Sequence, residues 1–175
     1  MANILIIYST TDGHTRRICE RIKRVVEEED HEVVLAVIND APDFDPGLFD
    51  KIVIGASVRY GKHRPVVHDF IRRNQAKIES LPNAFFSVNV VARKPEKNQP
   101  ETNPYLQKFL RKISWQPQKM AVFAGKINYP IYKFWDRQII RLIMWMTGGP
   151  TDPEAVVDFT DWNKVDEFGR MIAAM

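Results

Sequence analysis

The run Ile4-Leu5-Ile6-Ile7-Tyr8 is apolar at consecutive positions, and seven small or polar residues separate it from a helical pattern. That pattern begins near Thr15 and places Ile18, Ile22, Val25 and Val26 on one side, with charged residues over most of the rest. A strand that is apolar on both faces must be covered on both, and the helix that follows it supplies one cover. The alternation then repeats. Residues 31–38 read as a second strand, 51–56 as a third, 66–78 as a helix with Pro65 at its start, and 84–91 as a fourth strand. Residues 105–113 read as a short helix and 119–125 as a fifth strand. The last helix runs from about Asp161, its N-cap, to Ala173. Strands alternating with amphipathic helices predict an α/β fold with a doubly wound parallel sheet. The length of 175 residues predicts one domain, 1–175.

Two stretches fall outside this pattern. The loop 93–103 carries Pro95 and Pro100 and is expected to be irregular. An insertion at about 126–147 follows the fifth strand; Gly148-Gly149-Pro150 breaks the chain after it, and 156–159 reads as one more short strand.

The segment Ser9-Thr10-Thr11-Asp12-Gly13-His14-Thr15 is an anion site by its chemistry. The helix that it opens presents free N–H groups and a partial positive charge. Hydroxyls add donors, and Gly13 lets the backbone close around a phosphate. There is no Gly-Lys-Ser/Thr ending and no glycine triplet, so neither a nucleotide P-loop nor a dinucleotide fold is indicated. With no basic residue before Arg16, the loop suits a monophosphate ester held by neutral donors. The plainer reading is a Ser/Thr-rich turn that caps a helix.

At this loop the chain resembles the flavodoxins. Ile6, Ile7, Tyr8, Thr10, Gly13 and Thr15 stand where their signature has two aliphatics, an aromatic, a hydroxyl residue, a small residue and threonine. Cys19 departs from the usual alanine and is nearly as small. The resemblance implies a five-stranded sheet of order 2-1-3-4-5, bound FMN, and Ser9 to Thr15 around its phosphate. In such a sheet the ligand lies past the carboxyl ends of strands one, three and four. After strand three comes Ser57-Val58-Arg59-Tyr60-Gly61, where Tyr60 is placed to stack on the ring and Gly61 permits close approach. After strand four comes Ser87-Val88-Asn89-Val90-Val91-Ala92-Arg93-Lys94. Asn89 and backbone groups there are candidates for the ring's polar edge. No aromatic stands in that loop, which leaves one ring face open to substrate. Arg93 and Lys94 are either solvated charges or cations that favour the reduced flavin anion.

The insertion is aromatic and basic. It holds Tyr129, Tyr132, Phe134, Trp135 and Trp145, and sets Lys126, Lys133, Arg137 and Arg141 against the single acid Asp136. Read as a helix from Ile131, it has one seam of Ile131, Phe134, Trp135, Ile139, Leu142, Ile143 and Met146 and a basic stripe of Lys133, Arg137 and Arg141. Three readings stand open: a helix lying on a membrane surface, a site for a flat apolar ligand with carboxylates, and a seam packed on the protein's own sheet.

Over residues 4–173 the chain resembles the menaquinone-dependent protoporphyrinogen IX dehydrogenases. The strings that carry the likeness are 53–61, 87–97, Tyr129-Pro130 with Trp135-Asp136-Arg137, and Thr147-Gly148-Gly149 with Thr151-Asp152. This resemblance implies oxidation of protoporphyrinogen IX to protoporphyrin IX, a late step of haem synthesis. FMN is the implied cofactor, and menaquinone or another membrane quinone such as ubiquinone the implied acceptor. Tyr129, Tyr132, Lys133, Trp135, Arg137, Arg141 and Trp145 become candidates for contact with substrate or membrane. No metal and no general base is assigned; His14 is expected to be structural, and His63 and His68 to lie at the surface. Competing readings are an electron-carrier flavodoxin, an NAD(P)H:quinone reductase and a membrane-docked regulatory domain without turnover. A net charge of +3 argues against the carrier, since such carriers are usually acidic.

One cysteine excludes an internal disulfide. The N-terminal stretch lacks a basic n-region, and the apolar stretch 139–146 is broken by Arg141. The expected location is cytoplasmic, with peripheral contact on the inner face of the cell membrane. A homo-oligomer is an open expectation. Nucleic acid is not expected as a partner, because no recognition module accompanies the charge.

Overall fold

The computed structural model describes residues 1–40 and 44–175. Five parallel strands form the sheet: β1 (Asn3–Ser9), β2 (Glu32–Val37), β3 (Lys51–Arg59), β5 (Asn83–Val88) and β6 (Lys119–Phe123). Their order is β2-β1-β3-β5-β6, which is the expected doubly wound order, and the two-residue strand β4 (Lys62–His63) pairs antiparallel with the end of β3. The helices are α1 (His14–Glu27), α2 (Pro65–Glu79), α3 (Pro104–Leu110), α4 (Phe134–Thr147) and α5 (Trp162–Ala174). A second small sheet pairs β7 (Lys126–Asn128) with β8 (Val156–Asp158), antiparallel.

The side-chain period of two on β1 explains the layering. Leu5 and Ile7 join one core cluster with Ile52, Ile54 and Phe85 and with Val67 and Phe70 of α2. Ile4, Ile6 and Tyr8 join the other, with Val53 and Phe86 and with Ile18 of α1 and Phe168 of α5. Each strand face is therefore buried under helices, as its unbroken apolar run requires. Cys19 fills a fully buried place on α1. Asp161 caps α5, its carboxylate accepting from the N–H groups of Asn163 (3.1 Å) and Lys164 (3.3 Å).

Gly55 sits opposite Phe86 in the β3–β5 register, and a Cβ there would stand 2.2 Å from that ring. Gly55→Ala forces the ring into its packing with Phe123 and Phe168. The expected loss is about 2 kcal/mol, or roughly 5 °C in Tm by thermal melting. An unchanged Tm would show that the strands part without strain.

At three places around the cleft the boundaries differ from the sequence reading for a local reason. First, β3 runs on to Arg59 and turns through Tyr60 (φ 53°) and Gly61 (φ 74°) into β4. Two left-handed residues between Arg59 and Lys62 make a type I′ hairpin turn. Second, β5 stops at Val88, because the Asn89 side chain accepts from the N–H of Ala92 (3.1 Å) and starts a 3-10 turn over Val90–Arg93. Third, α4 starts at Phe134 and not at Ile131, since Tyr129–Ile131, with Pro130, is a separate 3-10 turn.

The largest difference concerns which way α4 faces. Ile143 of the expected seam does turn inward, where Ile140, Ile143 and the buried Met144 pack on Ile127, Tyr129 and Tyr132. The rest of the seam on this helix faces solvent: Phe134 is 63%, Trp135 75%, Leu142 54% and Met146 64% exposed, and Trp145, outside the seam, is 72% exposed. At 100° per residue these residues and Ile139 share one side of the helix. The reading in which the seam packs on the protein's own sheet does not hold for them. Among the described residues no helix is long and apolar enough to cross a membrane.

Candidate active site

The carboxyl ends of β1, β3 and β5 open into one cleft with two lobes. The first lobe is built on the segment from Thr10 to Thr15. Gly13 takes φ 83° and its N–H donates to the Thr10 hydroxyl (2.9 Å), so the loop curls just before α1. The first-turn N–H groups of α1 face the lobe with no intrahelical acceptor. Among the described residues three buried polar atoms have no protein partner: Oγ1 of Thr15, Oγ of Ser57 and Nδ1 of His14. A buried hydroxyl without a partner is costly, and a phosphate ester supplies the acceptors that Thr15 and Ser57 lack.

The lobe is also more basic than the loop sequence suggests. Arg17 and Lys126 line it, and Arg64 donates to the Thr10 carbonyl (3.4 Å). Sequence reasoning missed Lys126 and Arg64 because they reach the loop from other elements. Arg17 carried a readable signal, since it stands one turn into a helix that starts at the loop.

Val58 to Gly61 form one wall of the second lobe, and Asn89 to Val91 form the other, while Ser57 lines the first lobe. Ile140, Ile143 and Met144 from the inner side of α4 roof it. Arg59 ties the parts together. Its guanidinium pairs with both carboxylate oxygens of Asp12 (2.9 and 3.1 Å) and lies 5.1 Å from the centre of the Tyr132 ring. Tyr60 donates its hydroxyl to Asp136 in the first turn of α4. The insertion thus closes over the cleft through Tyr132 and Asp136.

Several expected site residues have other work. Ser9 is fully buried and faces Arg64, and Ser87 accepts or donates to His63 (2.8 Å) beneath the cleft. The Asn89 side chain is spent on Ala92, Ser87 and Asn103, which leaves none of it for a ring edge. Arg93 donates to Val90 and to both oxygens of Thr147, and so anchors the end of α4. Ala92 and Lys94 do not line either lobe. In the insertion, Arg137 donates to the Tyr129 carbonyl (3.2 Å) and Arg141 to the Thr151 carbonyl (2.7 Å). The Tyr129 hydroxyl donates to Pro150 (2.6 Å). Of the basic stripe, only Lys133 points into solvent unspent; Trp135 and Trp145 lie on the outer face.

His63 is buried (3% exposed) and not at the surface. Its ring lies tilted against Phe109 at 4.7 Å, and burial, with His68 nearby, pushes its pKa down to about 3. Burial also lowers His14, against the pull of Asp158 at 3.6 Å, and lowers His68. The native protein keeps His63 neutral where the unfolded chain takes up a proton, so stability falls as pH drops from about 6.5 towards 3. His63→Gln is expected to flatten acid unfolding in that window by up to about 1.4 kcal/mol per pH unit. An unchanged slope would place the proton uptake elsewhere.

Sheet order and cleft together define a flavodoxin domain, and the family model described as Flavodoxin domain matches residues 5–154. In fold the chain is similar to oxidised flavodoxin 2 from Bacillus cereus, with a TM-score of 0.52, 18% identity and 99% of each chain covered. The protoporphyrinogen IX dehydrogenase (quinone) of Escherichia coli strain K12 is 42% identical over 169 residues, 97% of this chain and 93% of that one. Its counterpart of the same name in Leishmania major is 41% identical over 172 residues, 98% of this chain and 74% of that one. The chain belongs to the quinone-dependent protoporphyrinogen IX dehydrogenase family, within the flavodoxin class. Flavodoxin domains carry FMN, and the unpartnered hydroxyls of Thr15 and Ser57 at a basic, glycine-turned loop fit its phosphate arm.

Proposed function

We propose that the chain oxidises protoporphyrinogen IX to protoporphyrin IX through FMN, with a membrane quinone as acceptor. The observation that carries this reading is the extent of the likeness. At 42% identity it covers 97% of the chain, and so includes the insertion that roofs the cleft. Bound in the cleft, FMN supplies two-electron redox chemistry.

The chain's residues bind and orient. Thr10 to Thr15 hold the phosphate by first-turn N–H groups and hydroxyls, and Arg17 and Lys126 offset its charge. Ser57 to Gly61 and Val88 to Val91 flank the ring. Ile140, Ile143 and Met144 keep water from the second lobe. The outer face of α4, with Trp135 and Trp145, lies on the inner face of the cell membrane, where the quinone resides. Apolar side chains that would otherwise stand in water support that placement.

The test is an anaerobic turnover assay. FMN-loaded protein receives protoporphyrinogen IX with and without a menaquinone analogue, and porphyrin fluorescence is followed. Quinone-dependent porphyrin formation that is lost on stripping FMN is the expected result. Protein that holds FMN yet forms no porphyrin above the blank overturns the reading.

A further inference from the structure

The insertion offers few cations to a ligand, because Arg137 and Arg141 are spent on backbone carbonyls, as is Arg93 in the turn after β5. Unspent cations lie on the other side of the second lobe. Gly61 and Tyr105 line that lobe and also a small neighbouring hollow, which is bordered by Lys62, Lys108 and Lys112. Lys62 is on β4 and Lys108 on α3, with Lys112 just past the end of that helix. All three are exposed, and none has a carboxylate or hydrogen-bond partner among the described residues. The floor of the hollow is largely aromatic, with the rings of His63 and His68 both tilted against Phe109 (4.7 and 4.8 Å). Its volume is about 10 Å³, room for roughly one water-sized group. That admits the head of a carboxylate and no ring.

We propose that Lys62, Lys108 and Lys112 form the site that recognises the carboxylates of the tetrapyrrole substrate. The proposal rests on the dehydrogenase reading above. A tetrapyrrole at the mouth of the second lobe, against the edge of the flavin ring that the lobe holds, carries two propionates, and those pass Gly61 and Tyr105 to reach the lysines. Lysines on the rim of a largely aromatic floor attract carboxylates more strongly than the same charges in open water. They stand away from the reacting carbons, so they contribute equally to ground and transition states and act on KM.

The experiment compares FMN-loaded wild type with the triple variant K62Q/K108Q/K112Q, using protoporphyrinogen IX and its dimethyl ester. Equilibrium binding of protoporphyrin IX and its dimethyl ester, read by tryptophan quenching, runs in parallel with sedimentation on anionic vesicles. The expected result is a KM for the diacid raised about tenfold in the variant, kcat changed by less than about twofold, and no difference between the proteins for the ester. Equal shifts for diacid and ester, or none for either, overturn the proposal. A variant that loses vesicle binding with KM unchanged overturns it too, and assigns the lysines to lipid headgroups. If wild type turns over neither substrate, the dehydrogenase reading fails by itself. The binding arm then decides: a diacid preference abolished in the variant supports the lysine site, and no preference overturns it.

Discussion

The double variant W135Q/W145Q is expected to bind lipid vesicles about a hundredfold more weakly than wild type while folding normally. Both indoles lie on the outer face of α4, 75% and 72% exposed. A large side chain moved from water into an apolar phase gains about 1.5–3 kcal/mol. Two partly inserted indoles account for roughly 3 kcal/mol, or about two decades in partition. Neither ring belongs to a core cluster, so the thermal midpoint should hold within the roughly 0.5 kcal/mol typical of surface changes. Vesicle sedimentation and thermal melting on the same samples check both halves. Partition that is unchanged would remove α4 as the membrane contact. A wild-type dimer that dissociates on the double substitution, with no vesicle dependence, would assign the face to a second copy of the chain.

Thr15→Val separates cofactor affinity from fold stability. The Thr15 side chain is almost fully buried and its hydroxyl has no protein partner. Valine keeps the shape and removes the unpaired group. Without FMN the variant should be as stable as wild type or slightly more so, because an orphaned hydroxyl is a burden to the folded state. With FMN the hydrogen bond to a charged phosphate is lost, about 1.5–3 kcal/mol, which weakens Kd by roughly ten- to a hundredfold. Flavin fluorescence titration reads the affinity, and melting of the cofactor-free protein reads the stability. Thr15→Ser should restore most of the binding. A Kd within about twofold of wild type would place the phosphate elsewhere.

The sheet was legible because its signals are local and repeated. Unbroken runs such as 4–8 and 51–56 admit few alternatives once helices with one apolar side lie between them. The phosphate loop was legible for the same reason, since strand, turn and helix are contiguous. Contacts made across the fold were not. Lys126 reaches the first lobe from β7, and Arg64 reaches the Ser9 hydroxyl and the Thr10 carbonyl from just before α2, and no spacing in the sequence reveals that. Asn89 looked available to a ligand, yet its side chain caps the turn at Ala92 and pairs with Asn103, fourteen residues away. The stripe Lys133, Arg137 and Arg141 has correct helical spacing, yet two of its members turn inward to the carbonyls of Tyr129 and Thr151. For α4, periodicity identified an apolar side but not its neighbour. A seam of that kind reads the same whether it meets a sheet or another surface, and the exposed Phe134, Trp135 and Leu142 exclude the protein's own sheet only once the helix is placed.

The roof over the second lobe also sets the tempo of cofactor exchange. Tyr132 on Arg59, Tyr60 on Asp136 and Arg93 on Thr147 all must part before a ring can enter or leave beneath α4. Loading and release of FMN therefore wait on a local opening of the insertion while the main sheet stays folded. Dissociation should be slow under native conditions and should quicken in low urea, well before the sheet melts. Newly made chains that acquire the flavin before the roof settles would then keep it through many catalytic cycles.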